Sequence, residues 1–137
     1  MKGQEGDKVR KNKRLEKYGI SQDRHMELRY FCKQYPQKKE QLLESMTCLK
    51  GVSYNGMPSG NQISNTTEKL ALKMSKLKED IEIIERSAIT ANSSFYKAII
   101  ENVTQGIDYF YLNVPCSKRY FYRTVENFYI ILNENKI

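Results

Sequence analysis

Residues 65–91 read NTTEKLALKMSKLKEDIEIIERSAITA, and their spacing decides the fold class. Leu70, Met74, Leu77, Ile81, Ile84, Ala88 and Ala91 step by 4, 3, 4, 3, 4 and 3, the period of one helical face rather than of a strand. Asn65 stands three residues before Glu68, as in a capping box. A single long helix with a heptad seam is therefore predicted. Such a seam serves equally as the core of a monomer or as a coiled-coil contact in a homodimer. Lys69, Lys73, Lys76 and Lys78 among Glu68, Glu79, Asp80, Glu82 and Glu85 mark the solvated faces.

The rest of the chain gives no strand pattern, and an all-α protein is expected. Met26, Leu28, Phe31, Cys32 and Tyr35 outline a helix from Ser21 to the break at Pro36. Pro36 suits the start of the next helix, which carries Leu42, Leu43, Met46 and Leu49 and ends at Gly51. These two make a helical segment over 21–50. Residues 51–64, with Gly51, Gly56, Pro58 and Gly60 among Ser and Asn, read as a Gly/Pro-rich loop. Beyond the long helix, Asn92 and Ser93 open a helix through Phe95, Ala98, Ile99, Asn102 and Val103 that closes near Gly106. Ile107 to Leu112 is a short apolar element, Asn113 to Pro115 a turn, and Phe121, Val125, Phe128, Ile131 and Leu132 the buried face of a last helix. Residues 65–137 thus combine the long helix with a three-helix unit of helix-turn-helix type.

The 23 Lys and Arg against 16 Asp and Glu give a formal charge of +7, which favours a polyanionic partner. Residues 1–17 hold seven basic and three acidic residues but only Val9 and Leu15 as apolar side chains after Met1. A basic, disordered arm over 1–20 is expected, suited to following DNA phosphates or merely to solubility. No apolar run is long enough for a membrane span, and the charged N-terminus lacks a signal-peptide core. A cytoplasmic protein is expected. Cys32, Cys48 and Cys116 are too scattered for a disulfide framework or a zinc site, and read as reduced thiols. His25, the one histidine, reads as a helix-surface residue. No acid–base pair, nucleophile constellation or phosphate loop is present in the sequence, so neither an enzyme nor a cofactor or metal is expected.

The most informative functional stretch is Asn-Val-Pro-Cys-Ser-Lys-Arg-Tyr-Phe-Tyr-Arg at 113–123. Ser117 is placed to cap a helix whose first two turns present Lys118, Arg119, Tyr122 and Arg123. In helix-turn-helix proteins those turns enter the major groove, where arginine pairs with guanine edges and lysine or tyrosine reaches phosphates. Tyr109, Phe110, Tyr111, Tyr120, Phe121, Tyr122, Phe128 and Tyr129 crowd 21 residues. Some of these must be core, and an aromatic-basic mixture also fits stacking on single-stranded RNA.

Two passages resemble a known family. Gly56 to Glu68 is similar to a Gly-rich loop followed by an Ile-Ser-Asn/Asp-Pro-Thr-Glu helix start, and Val114 to Arg123 is similar to a turn, Ser cap and Phe-Tyr-Arg recognition helix. Both are features of RinA/ArpU-like phage transcriptional regulators, whose C-terminal half resembles the helix-turn-helix of sigma-factor region four. The resemblance spans about residues 25–135. Thr66 stands where the family has proline, and Ile107 to Leu112 lacks the small and acidic residues of its support helix. It implies a cytoplasmic, non-enzymatic phage or prophage regulator that binds double-stranded DNA through Ser117, Lys118, Arg119, Tyr122 and Arg123. RNA polymerase is a further expected partner. The competing expectations are a packaging or assembly protein of small-terminase type, and a helical protein–protein adaptor.

Overall fold

A computed structural model describes residues 12–52 and 60–136, with the backbone alone for 49–52 and 60–65. The described residues are all helical and contain no strand. In chain order they form α1 (Lys13–Lys17), α2 (Gln22–Lys33), α3 (Tyr35–Val52), α4 (Gly60–Ala91), α5 (Tyr96–Gln105), a 3₁₀ turn (Tyr109–Tyr111) and α6 (Lys118–Asn135). No helix among them is long and apolar enough to cross a membrane.

The heptad seam of α4 is spent inside the chain. Leu77, Ile81, Ile84 and Ala88 are buried, and α4 packs along α3, α5 and α6. A homodimer through that half of the seam would have to displace these helices. Leu70 and Met74, nearer its start, are only partly buried. Between α3 and α4 the Lys38 ammonium donates to Asp80 at 2.7 Å, with both side chains more than four-fifths buried, and Tyr35 donates its hydroxyl to Glu85 at 2.6 Å. These polar ties fix the register of a pair that apolar packing alone would leave free to slide.

The loop expected over 51–64 is shorter at both ends. Helix α3 runs through Gly51 to Val52, and α4 begins at Gly60, so Asn65 lies inside the helix it was expected to start. An interior glycine costs a helix only about 1 kcal/mol, which packing against a neighbour offsets. No proline lies between Pro58 and the end of α4, so nothing in that stretch prevents the early start of the helix. Residues 53–59 lie outside the described residues.

The basic arm expected over 1–20 is also corrected in its second half. Asn12 accepts the Leu15 N–H at 3.0 Å and starts α1. Gly19, at φ +80, turns the chain so that Leu15 and Ile20 enter the core, each only 1% exposed. Two apolar side chains cannot make a core of their own, yet they dock on one supplied by other helices, at roughly 1.5–3 kcal/mol each. Residues 1–11 lie outside the described residues.

Ser21 caps α2 by accepting the Arg24 N–H at 3.1 Å, and Leu28, Phe31 and Cys32 face α5 and α6. His25 is not on the surface. It is 9% exposed and meets the Tyr129 ring edge-on at 4.8 Å. Burial lowers its pKa below 6.5, the Arg29 charge adds to this, and Glu126 opposes it. Cys32 is sealed in the core, and burial pushes its thiol up to about 12. The three cysteines are free thiols.

Candidate nucleic-acid interface

Residues 92–136 are built on a buried row of α6, Phe121, Val125, Phe128, Tyr129 and Leu132, which packs on α4 and α5. Asn92 opens the approach to α5 by accepting the N–H groups of Ser94 at 2.8 Å and Phe95 at 3.1 Å, an Asx turn. Gly106 ends α5 at φ +72, a left-handed C-cap whose N–H returns to the Asn102 carbonyl.

The element between α5 and α6 is a single 3₁₀ turn, so aromatic side chains do what a support helix would otherwise do. Tyr109 donates its hydroxyl to the Cys116 carbonyl and lays its ring 5.7 Å from that of Phe121. Tyr122 reaches back from α6, donating to Asp108 at 3.1 Å and accepting the Tyr109 N–H at 3.4 Å. Leu112, Val114 and Cys116 rest against the core, and Asn113 takes φ 55 at the turn. That conformation disfavours most side chains, but asparagine tolerates it. The turn is thereby pinned to the first turns of α6 from both sides.

The start of α6 follows from this. Ser117 accepts the Tyr120 N–H at 3.2 Å, so Lys118 is the first helical residue. Phe121 points inward, which leaves Lys118, Arg119, Tyr120 and Arg123 exposed. Among the described residues no carboxylate pairs with Lys118, Arg119 or Arg123. Lys118 instead lies over the Phe110 ring, 5.0 Å from its centre.

Five residues were expected to face a partner, and the structure sorts them by role. Lys118, Arg119 and Arg123 form the exposed, basic face of the first two turns of α6, with Arg119 and Arg123 four residues apart on one side. Ser117 is exposed, but its hydroxyl is engaged as the cap. Tyr122 is half-buried, with its hydroxyl turned to Asp108 and Tyr109, so it holds the turn rather than reaching outward. Burial and the Asp108 carboxylate raise its pKa.

Three aromatic residues outside the expected DNA-binding set are also exposed in the turn and at the start of α6. Phe110, Tyr111 and Tyr120 are 69%, 81% and 52% exposed. Tyr120 precedes buried Phe121 by one position, which was a readable sign of exposure. For Phe110 and Tyr111 no periodicity applied. Helix α1 also borders the face: Arg14 pairs with Glu126 at 3.0 Å, donates to Asn127 at 2.6 Å, and approaches the Arg123 carbonyl at 3.5 Å. Asn12 donates to the other oxygen of Glu126 at 2.9 Å. The open face of α6 is thus its first two turns, bounded by α1 beyond Arg123.

No family model, curated protein or solved structure matches this chain.

Proposed function

We propose that the chain is a DNA-binding transcriptional regulator of phage type, with α5, the aromatic turn and α6 acting as a helix-turn-helix and α6 as its reading helix. The observation that carries the reading is the capped start of α6, with Lys118, Arg119 and Arg123 exposed on its first two turns and without carboxylate partners among the described residues. Cations left unpaired on a protein surface are available to phosphates and base edges. The first two turns of a helix are also the part that a major groove admits. Tyr111 and Tyr120 flank this face and would pack on the sugar-phosphate backbone. Double-stranded DNA is the proposed partner, with RNA polymerase as a second one for a regulator. Selection from a random duplex library tests the reading: enrichment of a defined half-site is expected, and recovery of no sequence above background, at low salt as well as high, would overturn it.

A second reading rests on the α3–α4 pair. Leu43 and Met46 are 65% and 39% exposed and line an apolar groove with Leu42 and Ile81, suited to assembly or to an adaptor contact. A packaging protein would use it to form a ring, and sedimentation showing a stable oligomer without duplex affinity would favour that reading.

A further inference from the structure

A cavity of about 410 Å³ opens between α2, α5 and α6, with α1 at its edge. Its volume is in the range of small-molecule sites, roughly 300–1,000 Å³. One wall carries two cations, because Arg29 and Lys33 follow the buried His25 at four-residue spacing on α2 and all three line the space. Arg29 is partly buried and makes no hydrogen bond or ion pair among the described residues, although taking a guanidinium out of water without a partner is costly. Lys33 is exposed and, among the described residues, meets only the Tyr30 ring, at 5.5 Å.

The carboxylates of the opposite wall do not satisfy them. Glu126 is held by Arg14 at 3.0 Å and Asn12 at 2.9 Å, and Asp108 by the Tyr122 hydroxyl at 3.1 Å. Val103, Val125 and Leu15 give the cavity apolar surface, and Asn102 adds an amide. The lining combines two cations that no described carboxylate pairs with, an apolar floor and a few fixed polar groups, the composition of a site for a small molecule with an oxyanion head.

We propose that this cavity binds a small phosphorylated or carboxylated molecule, its oxyanion held by Arg29 and Lys33 and its body lying on Val103 and Val125. The site does not depend on α6 reading DNA. Because the Glu126 and Tyr122 side of α6 forms one wall, an occupant also braces the helix that carries Arg119 and Arg123.

The test is thermal melting of the full chain with inorganic phosphate, adenosine 5′-monophosphate or benzoate, each against chloride at matched ionic strength. At least one oxyanion is expected to raise the melting temperature in a saturable way, as a ligand of the folded state must, and to shift the amide resonances of Val103 and Gly106. Phosphate and benzoate separate the two head groups. Arg29→Gln, which removes a cation with no hydrogen bond or ion pair among the described residues, is expected to melt at or above the wild-type temperature in chloride and to lose the response. Arg86→Gln, an exposed cation on α4, is expected to keep it. Lys33→Gln provides the same comparison if Arg29→Gln does not fold. No response of the wild type to any of the three overturns the proposal, as does an equal response of both cavity variants. Loss of duplex affinity in Arg29→Gln without any small-anion response also overturns it, assigning Arg29 to a nucleic-acid phosphate.

Discussion

Replacing Tyr122 by phenylalanine removes one oxygen and leaves the ring where it packs, so it isolates what the hydroxyl does. That hydroxyl donates to the Asp108 carboxylate at 3.1 Å and accepts the Tyr109 N–H at 3.4 Å. A hydrogen bond to a charged group contributes about 1.5–3 kcal/mol and a neutral one about 0.5–1.5. The first of these contacts is exposed and the second long, so water replaces much of both, and the net loss is about 1.5 kcal/mol. For a chain of 137 residues, that corresponds to a melting temperature lowered by roughly 5 °C. The released groups are the two ends of the bridge between the 3₁₀ turn and α6. Duplex affinity should therefore fall by no more than about tenfold, the equivalent of 1.4 kcal/mol, through a turn that docks less often. Differential scanning fluorimetry and fluorescence anisotropy on the same preparations measure the two effects. A variant that melts like the wild type and yet loses duplex affinity would refute the reasoning, since the hydroxyl would then be touching DNA.

Two further outcomes follow from the core. Leu15→Ala should destabilise by about 2–4 kcal/mol, because a fully enclosed leucine is lost from the junction of α1 with the main core; an unchanged urea midpoint would return residues 12–20 to the status of an arm. The pKa of His25 is lowered from 6.5 chiefly by burial, so the unfolded chain takes up a proton there before the folded one does. Its contribution to stability is complete above pH 6.5, is lost as the pH falls through the folded pKa, and levels off below it. A urea midpoint that declines as the pH falls below 6.5 in the wild type, and less in His25→Gln, is expected.

Long periodic signals in the chain were legible, and isolated or non-local ones were not. The seam from Leu77 to Ala88 and the buried row of α6 repeat over several turns, so each position supports the next. The Ser117 cap was legible because its partner, the Tyr120 N–H, lies three residues away. Leu15, Ile20 and His25 were misread for the opposite reason. Each is a single side chain in a polar neighbourhood, buried by helices more than fifty residues distant in sequence. Tyr122 was assigned outward because its bonds to Asp108 and Tyr109 cross the turn and leave no trace in the helical pattern, although its spacing of three and seven from buried Val125 and Tyr129 already placed it at the edge of the inner face. The aromatic run from Tyr109 to Tyr111 lacks the residues of a support helix and forms only a 3₁₀ turn, which Tyr109 secures by its ring and its hydroxyl together.

The claim that α6 reads DNA rests on Arg119 and Arg123, and one measurement addresses both. Duplex binding of the wild type and of Arg119→Ala/Arg123→Ala is measured across a range of salt concentrations, with helicity checked by circular dichroism. Each cation that contacts a phosphate contributes about 0.9 to the slope of log affinity against log salt. The double variant is expected to fold normally, bind more weakly and lose about one unit of slope for each phosphate contact removed. Wild-type affinity and slope in a folded double variant would contradict the account.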